Sequence, residues 1–221
     1  MPYLMTAGSD GYFELNNDPF PGQGGPMTDE NREAKLSYKK YLRGEWADAK
    51  YLPKSGYVST SFDKFKPFMA YPSWYCKPEV REVIEALEPN IHQFVPYEFR
   101  SGEKGPVVQK YEYINLCEPL DTIDVERCDP RMIKLPEQMP HHGFQPVLLS
   151  ISAIDYYDDG SIALDEHKIG HRHLWAEKRT RNASNAFISD QLYEALLPFC
   201  SPWHVRFFKI MSAELDLKEE C

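Results

Sequence analysis

The fold class that the sequence predicts is α+β, with a mixed or antiparallel sheet, a repeated helix–strand unit and helices packed against the sheet. Two observations carry this prediction. Apolar stripes at helical spacing follow clear start signals at Pro78 and Ser189. Each stripe is followed by a run rich in aromatic and β-branched residues, which is typical of half-buried strands. Helices with one apolar face need a sheet or another helix to cover that face.

The first part of the chain predicts a hairpin, a loop and a surface helix. The hairpin has a turn at Ser9-Asp10-Gly11 and a second strand over residues 12–15, and the Pro- and Gly-rich stretch 18–26 is a loop. Thr28 precedes a polar segment through Tyr41 with acidic residues in its first turn and Lys39 and Lys40 near its end, a charge order that suits the helix dipole. Its few apolar residues predict a helix on the surface.

The middle of the chain predicts aromatic packing, a second helix and several strands. Aromatic residues recur between positions 45 and 72; they could stack nucleobases, but they lack the basic surroundings that such binding needs, so we favour packing. Pro78 opens a helix because its missing N–H would be free there, and residues 91–99 return as a strand. Further strands are predicted over residues 111–116, 146–154 and 161–164. The mostly apolar 146–154 stretch predicts a central strand.

The last third of the chain repeats the order of a helix followed by a strand. Ser189 caps a helix that ends near Pro198, and residues 203–210 form a strand. Laying one helix–strand unit on the other aligns apolar positions and a histidine, namely Val80 with Leu192, Ile84 with Leu196, Leu87 with Phe199, and His92 with His204. We therefore expect one unit used twice about a shared sheet. The predicted organisation is an N-terminal part over 1–66 packed on an α+β domain over 67–221, with related halves at 67–125 and 146–210.

Charge and cysteine usage narrow the function classes. The net charge of −9 disfavours broad nucleic-acid binding, which needs a basic face, and favours a basic protein partner. Five scattered cysteines without a C-x-x-C pair predict reduced thiols in a cytoplasmic protein. No stretch is long and apolar enough to predict a membrane span or a secretion signal. The oligomeric state is left open.

Two clusters could carry chemistry. His167, His171 and His173 could gather on a metal, but Gly170 interrupts a helix that would align the first two, and no H-E-x-x-H is present. The adjacent pair His141-His142 lies in a Pro-bounded loop. The carboxylates of Asp155, Asp158 and Asp159 could act as acid and base, but Asp is also preferred in turns for local hydrogen bonding. We therefore predict no catalytic residue, metal or cofactor. A hydrolase or metal-dependent enzyme that uses the histidines, and a general protein-interaction domain, are the alternatives.

A family resemblance rests on the residues after Leu164. Ile169-Gly170, then Arg172-His173-Leu174-Trp175, and then Phe187-Ile188-Ser189-Asp190-Gln191-Leu192 resemble the immunity protein 11 family of bacterial polymorphic-toxin systems, formerly a domain of unknown function. The similarity is best over about residues 147–210, with a weaker echo over 68–120. The resemblance implies a cytoplasmic α+β protein that binds a cognate secreted toxin and blocks it by occlusion, without turnover.

Site residues follow from residue type and from the motif. Arg and Trp are enriched in interface hot spots, and an acidic turn could meet a basic face, which predicts a partner-binding set of Asp155, Asp158, Asp159, Asp165, Arg172 and Trp175. A second set is predicted to maintain the fold: Gly170, His173, Trp175 and Ser189. For Trp175 and His173 we favour the structural role, with Trp175 in the core, Arg172 paired with a carboxylate and His173 donating to a backbone carbonyl.

Overall fold

The structure is a computed structural model, which describes residues 2–7, 15–17, 28–58, 65–70, 73–130, 133–134, 148–149, 162–178, 186–201 and 205–212. The α-helices within these ranges are α1 (Asp29–Leu42), α2 (Pro78–Leu87), α3 (Glu166–Ile169) and α4 (Asp190–Leu196), and single 3₁₀ turns span Ala49–Tyr51 and Leu197–Phe199. The strands are β1 (Tyr3–Ala7), β2 (Leu15–Asn17), β3 (Ser55–Val58), β4 (Phe68–Ala70), β5 (Trp74–Cys76), β6 (Gln93–Ser101), β7 (Val107–Asn115), β8 (Ile133–Lys134), β9 (Leu148–Leu149), β10 (Ala163–Leu164), β11 (Leu174–Trp175), β12 (Ala186–Ile188), β13 (Val205–Lys209) and β14 (Met211–Ser212).

A mixed six-stranded sheet is built by the first half of the chain, in the order β2-β3-β6-β7-β5-β4. Only the β3–β6 pair is parallel, and the other four pairs of adjacent strands are antiparallel. In β6 every second residue is buried, from Gln93 through Val95 and Tyr97 to Phe99. This alternation puts one face of the central strand into a core, as the sequence pattern predicts.

A second, antiparallel sheet has the order β11-β12-β1-β13 and joins the two ends of the chain. β1 lies between β12 and β13, where Leu4 is opposite Phe187 and Phe208. The predicted hairpin is therefore wrong, because both edges of β1 are occupied by these strands and β2 pairs with β3 in the other sheet. The turn proposed at Ser9-Asp10-Gly11 lies outside the described residues.

Three cores fill the spaces around the sheets. The first joins α2 and α4 to both sheets, and includes Val80, Ile84, Leu192, Leu196 and Trp74. The second covers the opposite face of the antiparallel sheet with Leu4, Trp175 and Phe187 among its members. The third, on the other face of the six-stranded sheet, is rich in aromatic rings: Tyr75, Tyr97, Phe99, Tyr111 and Tyr113. Aromatic packing around the 45–72 stretch is present at Tyr51 and Phe68, which are buried.

Both predicted helix–strand units are present, α2 with β6 and α4 with β13, and the α+β class is confirmed. The two helices share the first core, but their strands lie in different sheets. The expectation of one shared sheet is wrong, whereas the repeat itself and the boundary at 66/67 remain predictions. Of the strand predicted over 146–154, only Leu148 and Leu149 are described, in a short ladder with β8. No helix within the described ranges has the length and apolarity to cross a membrane.

Candidate functional site

The motif segment, defined here as residues 165–175, begins with a single turn of helix. The Asp165 carboxylate accepts the N–H of His167 at 3.1 Å, and α3 ends where the N–H of Gly170 reaches the carbonyl of Glu166 at 3.2 Å. Gly170 has φ +60° and ψ −123°, a conformation that residues with a side chain rarely adopt. Gly170 thus lets the chain leave the helix abruptly and turn toward β11.

The carboxylate of Glu88, the residue directly after α2, lies beneath this segment, and the Glu88 side chain is 3% exposed. Its Oε1 accepts from the Nε of Arg172 at 2.9 Å and from the N–H of His173 at 2.8 Å. Its Oε2 accepts the N–H of Leu174 at 2.9 Å. One side chain therefore fixes three successive residues of the motif segment, and hydrogen bonds that involve a charged group are the stronger kind.

His92 completes the set of donors around Glu88. Its Nδ1 accepts the backbone N–H of Cys117 at 3.3 Å, so the ring proton is on Nε2, which donates to Glu88 Oε2 at 3.1 Å. Both side chains are almost fully buried. A buried carboxylate is stable only when such donors surround it, and Glu88 has four.

Two opposing effects set the acidity of Glu88. Burial raises the pKa of its carboxyl group, because the charged form loses contact with water. The hydrogen bonds from His92 and from the His173 N–H, with the positive charge of Arg172, lower the pKa, and together they outweigh burial. The pKa of Glu88 is therefore below its ordinary value, and the carboxylate is charged at neutral pH.

The guanidinium group of Arg172 connects this cluster to the loop after β7. Its Nη1 donates to Glu118 Oε2 at 3.1 Å and its Nη2 to the carbonyl of Cys117 at 3.2 Å, while the side chain is 14% exposed. Glu118 adopts φ +55°, which is uncommon for a residue other than glycine. The expected pairing of Arg172 with a carboxylate is present, and it is made with both Glu88 and Glu118.

His173 connects the motif segment to α4. Its carbonyl accepts the N–H of Ser189 at 2.9 Å, and its ring Nδ1 lies 2.7 Å from Ser189 Oγ. The same Oγ accepts the N–H of Leu192 at 3.2 Å and so caps α4, as the sequence predicts. The described bond of the His173 ring is thus to the Ser189 hydroxyl, where we expected a backbone carbonyl.

Trp175 lies inside the second core with no exposed surface. Its indole Nε1 donates to Thr122 Oγ1 at 3.2 Å, and its ring stacks on Phe187 at 5.8 Å between centroids. Thr122 in turn donates its hydroxyl and its N–H to Glu177 Oε2, each at 2.7 Å. These contacts place the Trp175 side chain in the core, whereas its predicted part in partner binding remains a prediction.

A cleft of about 470 Å³ lies between α3, the loop after it and the start of α4. His167 and His171 line it and are exposed, whereas the ring of His173 is held by Ser189. In the part of the chain that the structure describes, no three His, Cys, Asp or Glu side chains are grouped so that they could hold a metal ion. The proposed histidine cluster is therefore not assembled as a three-ligand site there.

This arrangement is that of a motif whose polar side chains mostly hold other parts of the same chain. The model of one protein family, the Immunity protein family (Imm11), matches residues 27–210. The chain belongs to this immunity protein family. The matched range contains Glu88, the whole motif segment and the Ser189 cap, and it confirms the resemblance seen in the sequence. No curated protein matches the chain.

Ser189 and His173 of this immunity-family chain form a serine–histidine contact, which is a pair also used in hydrolytic sites. Ser189 Oγ caps α4, and the link of His173 to Glu88 runs through its backbone N–H, so it does not orient the ring. Among the described residues, the ring of His173 has no carboxylate partner, and such a carboxylate is the third group of a catalytic triad. The geometry serves to position α4 and the motif segment.

The predicted partner-binding residues fall into two groups. Asp155, Asp158 and Asp159 lie outside the described residues, as do His141 and His142, and the acidic turn remains a prediction. The other three are described: Asp165 caps α3 and also lies 3.5 Å from Lys168 Nζ, Arg172 is held by two carboxylates, and Trp175 is buried. The four residues predicted to maintain the fold, Gly170, His173, Trp175 and Ser189, each contribute a turn, a hydrogen bond or core packing described above.

The site residues that could not be assigned from the sequence are Glu88, His92, Glu118, Thr122 and Glu177. One signal was present for Glu88: α2 ends on an acidic residue with no basic residue in its last turn, which opposes the helix dipole. An acidic residue at this end of a helix indicates that a cationic or hydrogen-bond-donating group elsewhere in the chain binds it. For Thr122 and Glu177, which meet across distant loops, the sequence carries no comparable local signal.

Proposed function

We propose that this chain binds a cognate secreted bacterial toxin in the cytoplasm and neutralises it by occlusion, with no bond made or broken by its own side chains. The observation that carries the proposal is the match to the immunity protein family over residues 27–210. The partner is then the toxin of the same effector–immunity pair.

The motif geometry supports a binding role. Arg172, His173, Ser189 and Trp175 are all engaged within the chain, so the motif stiffens the structure around the cleft. A surface that is already ordered loses little conformational entropy when it binds, which favours tight association. An inhibitor that acts by covering its target needs this property, and it needs no reactive group.

Charge supports a toxin that is basic overall. The chain carries a net charge of −9. Opposite net charges speed the encounter of two proteins and raise the association rate constant most at low ionic strength. Fast association suits an inhibitor that must reach its toxin before the toxin reaches its target.

Co-expression tests the proposal. The probe is the C-terminal domain of the polypeptide encoded by the gene next to this one, placed under an inducible promoter in a bacterial host. We expect growth arrest with an empty second vector and growth with this chain. Persistent arrest despite soluble chain in the cell would contradict the immunity role.

Titration separates occlusion from catalysis. The activity of the purified toxin domain is measured against increasing amounts of this chain, and we expect inhibition to be complete at a fixed stoichiometric ratio. Complete inhibition by a small molar fraction of the chain would show turnover and contradict occlusion.

A further inference from the structure

Two exposed leucines lie on α1. Among the described residues the exposed large apolar side chains are Leu36 (53%), Leu42 (61%), Trp46 (52%), Val107 (42%) and Leu197 (41%). A single exposed leucine is ordinary on a protein surface, but a group of them marks an interaction site. Leu36 and Leu42 lie on α1, whereas Trp46 lies four residues after its end, where its indole donates to the carbonyl of Ile91.

The outward side of α1 is also basic. At about 100° per residue, four exposed residues of α1 fall within an arc of about 120°, and Arg43, the residue after the helix, continues the same side. We call this set the α1 face; it consists of Arg32, Leu36, Lys39, Leu42 and Arg43. Three cations thus surround and separate two exposed leucines.

The inward side of α1 is occupied by the rest of the fold. Ala34 and Ser37 are buried, and the ring of Tyr41 packs on Tyr113 at 5.9 Å between centroids. The α1 face therefore points away from the third core, and no conformational change is needed to expose it.

The cations of the α1 face are available to a partner. In the described part of the chain, Arg32 and Lys39 form no ion pair, and Arg43 has one long contact of 3.9 Å with exposed Glu45. Exposed pairs of this kind contribute little to stability and are easily exchanged. The nearby Glu33 is engaged by Lys50 and Tyr51.

The positive charge of the α1 face limits which surfaces can bind to it. A symmetric dimer through α1 would place the same cations opposite one another, because a two-fold interface brings identical patches together. Contact between cations in a dry interface is unfavourable, so a second copy of the chain in that arrangement is a poor occupant. A face with cations around leucines instead matches an acidic surface with an apolar depression.

We propose that the α1 face is the surface that docks onto the toxin, at an acidic patch of the toxin that also accepts Leu36 and Leu42. This inference rests on the proposed function and adds to it the contact surface and the chemistry of the partner's side. An acidic contact patch is compatible with a toxin that is basic overall, because net charge governs the long-range encounter and the patch governs the docked contact.

The test is a pair of matched double variants. Leu36→Asp with Lys39→Glu changes the α1 face, and Val107→Asp with Lys104→Glu makes the same change on the β6–β7 hairpin, where both residues are exposed. Affinity for the toxin domain from the neighbouring gene is measured by surface plasmon resonance, and circular dichroism and thermal melting verify folding. We expect at least a tenfold loss of affinity in the first variant, mostly through faster dissociation, and less than about a twofold change in the second.

Each outcome bears on one of the two proposals. If the unaltered chain and both variants bind the toxin domain with equal affinity, the assignment of the α1 face is overturned and the immunity role is left intact. Equal loss in both variants would also overturn it. No binding by the unaltered chain would overturn both proposals. Self-association in sedimentation velocity, or binding to a mixed-sequence RNA, that is lost only in the α1 variant would assign the face to a second copy or to nucleic acid, and not to the toxin.

Discussion

Glu88 occupies a position that is unfavourable for an acidic residue. It lies at the negative end of the α2 dipole and is almost fully buried, and each condition disfavours a charged carboxylate. The donors from His92, Arg172, His173 and Leu174 outweigh both effects. Glu88 therefore depends on the motif segment for its stability, and the motif segment depends on Glu88 for its position.

Replacing Glu88 by Gln should destabilise the protein by about 3 kcal/mol. The substitution keeps one carbonyl acceptor, but it removes the charge that compensates buried Arg172 and turns an NH₂ group toward backbone N–H donors. Urea unfolding followed by circular dichroism gives the free energy of unfolding directly.

The matched control is Glu118→Gln, which removes the other carboxylate bonded to Arg172. Its side chain is 64% exposed, so we expect a loss of less than about 1 kcal/mol. Equal losses from the two substitutions would contradict the assignment of Glu88 as the buried acceptor that organises the motif.

The pKa of Glu88 predicts how stability changes with acid. Because this pKa is lower in the folded chain than the ordinary value of 4.5, the unfolded chain binds more protons as the pH falls below about 4.5. The contribution of Glu88 is complete above that pH and is lost as the pH falls through the folded pKa. Free energies of unfolding measured between pH 3 and pH 6 should fall more steeply with acid for the unaltered chain than for Glu88→Gln. Parallel curves would contradict the lowered pKa.

At the scale of elements, the Ser189 cap should control the first turn of α4. Ser189→Ala removes the acceptor of the Leu192 N–H and the partner of the His173 ring, so we expect a loss of about 1 kcal/mol and faster hydrogen exchange at the start of α4. Ser189→Asp keeps an acceptor at the cap and should restore most of both. An Ala variant with unchanged exchange in α4 would show that the cap is dispensable.

Local signals explain which elements the sequence predicts well. The start signals of α1, α2 and α4 are encoded within a few residues, and the structure has each helix within a residue or two of its predicted start. Strand partners are not encoded locally. The predicted hairpin followed the ordinary preference for neighbours in sequence. β1 instead lies between β12 and β13, where Leu4 and Met5 face two different cores.

The same limit applies to the candidate site. Gly170 and Ser189 could be assigned from a turn and a cap, which need only nearby residues. Glu88 and Arg172 are 84 positions apart in the sequence, and their contact exists only after α2 and the motif segment have packed together. The pairing of Arg172 with a carboxylate could therefore be expected, but not the identity of that carboxylate.

At the scale of the molecule, the first core should make the two sheets unfold together. Ile84 is fully buried in this core, which contains side chains from both sheets, and Ile84→Ala should cost about 3 kcal/mol. Hydrogen exchange with mass spectrometry in increasing urea should show equal loss of protection in β7 and β13. Loss of protection confined to one sheet would reveal two independently unfolding units. The control for the stability measurement is Leu197→Ala, at an exposed position, which should change the free energy of unfolding by less than about 0.5 kcal/mol.

The central place of β1 has a consequence for the order in which the antiparallel sheet can form on the ribosome. β1 is synthesised before both of its partner strands, which end at Ile188 and Lys209. One edge of β1 can pair once β12 has been made, but the other edge has no partner until β13 has emerged. A nascent chain halted between these two strands would therefore hold β1 as an unpaired edge, and the sheet is complete only after Lys209 has been added.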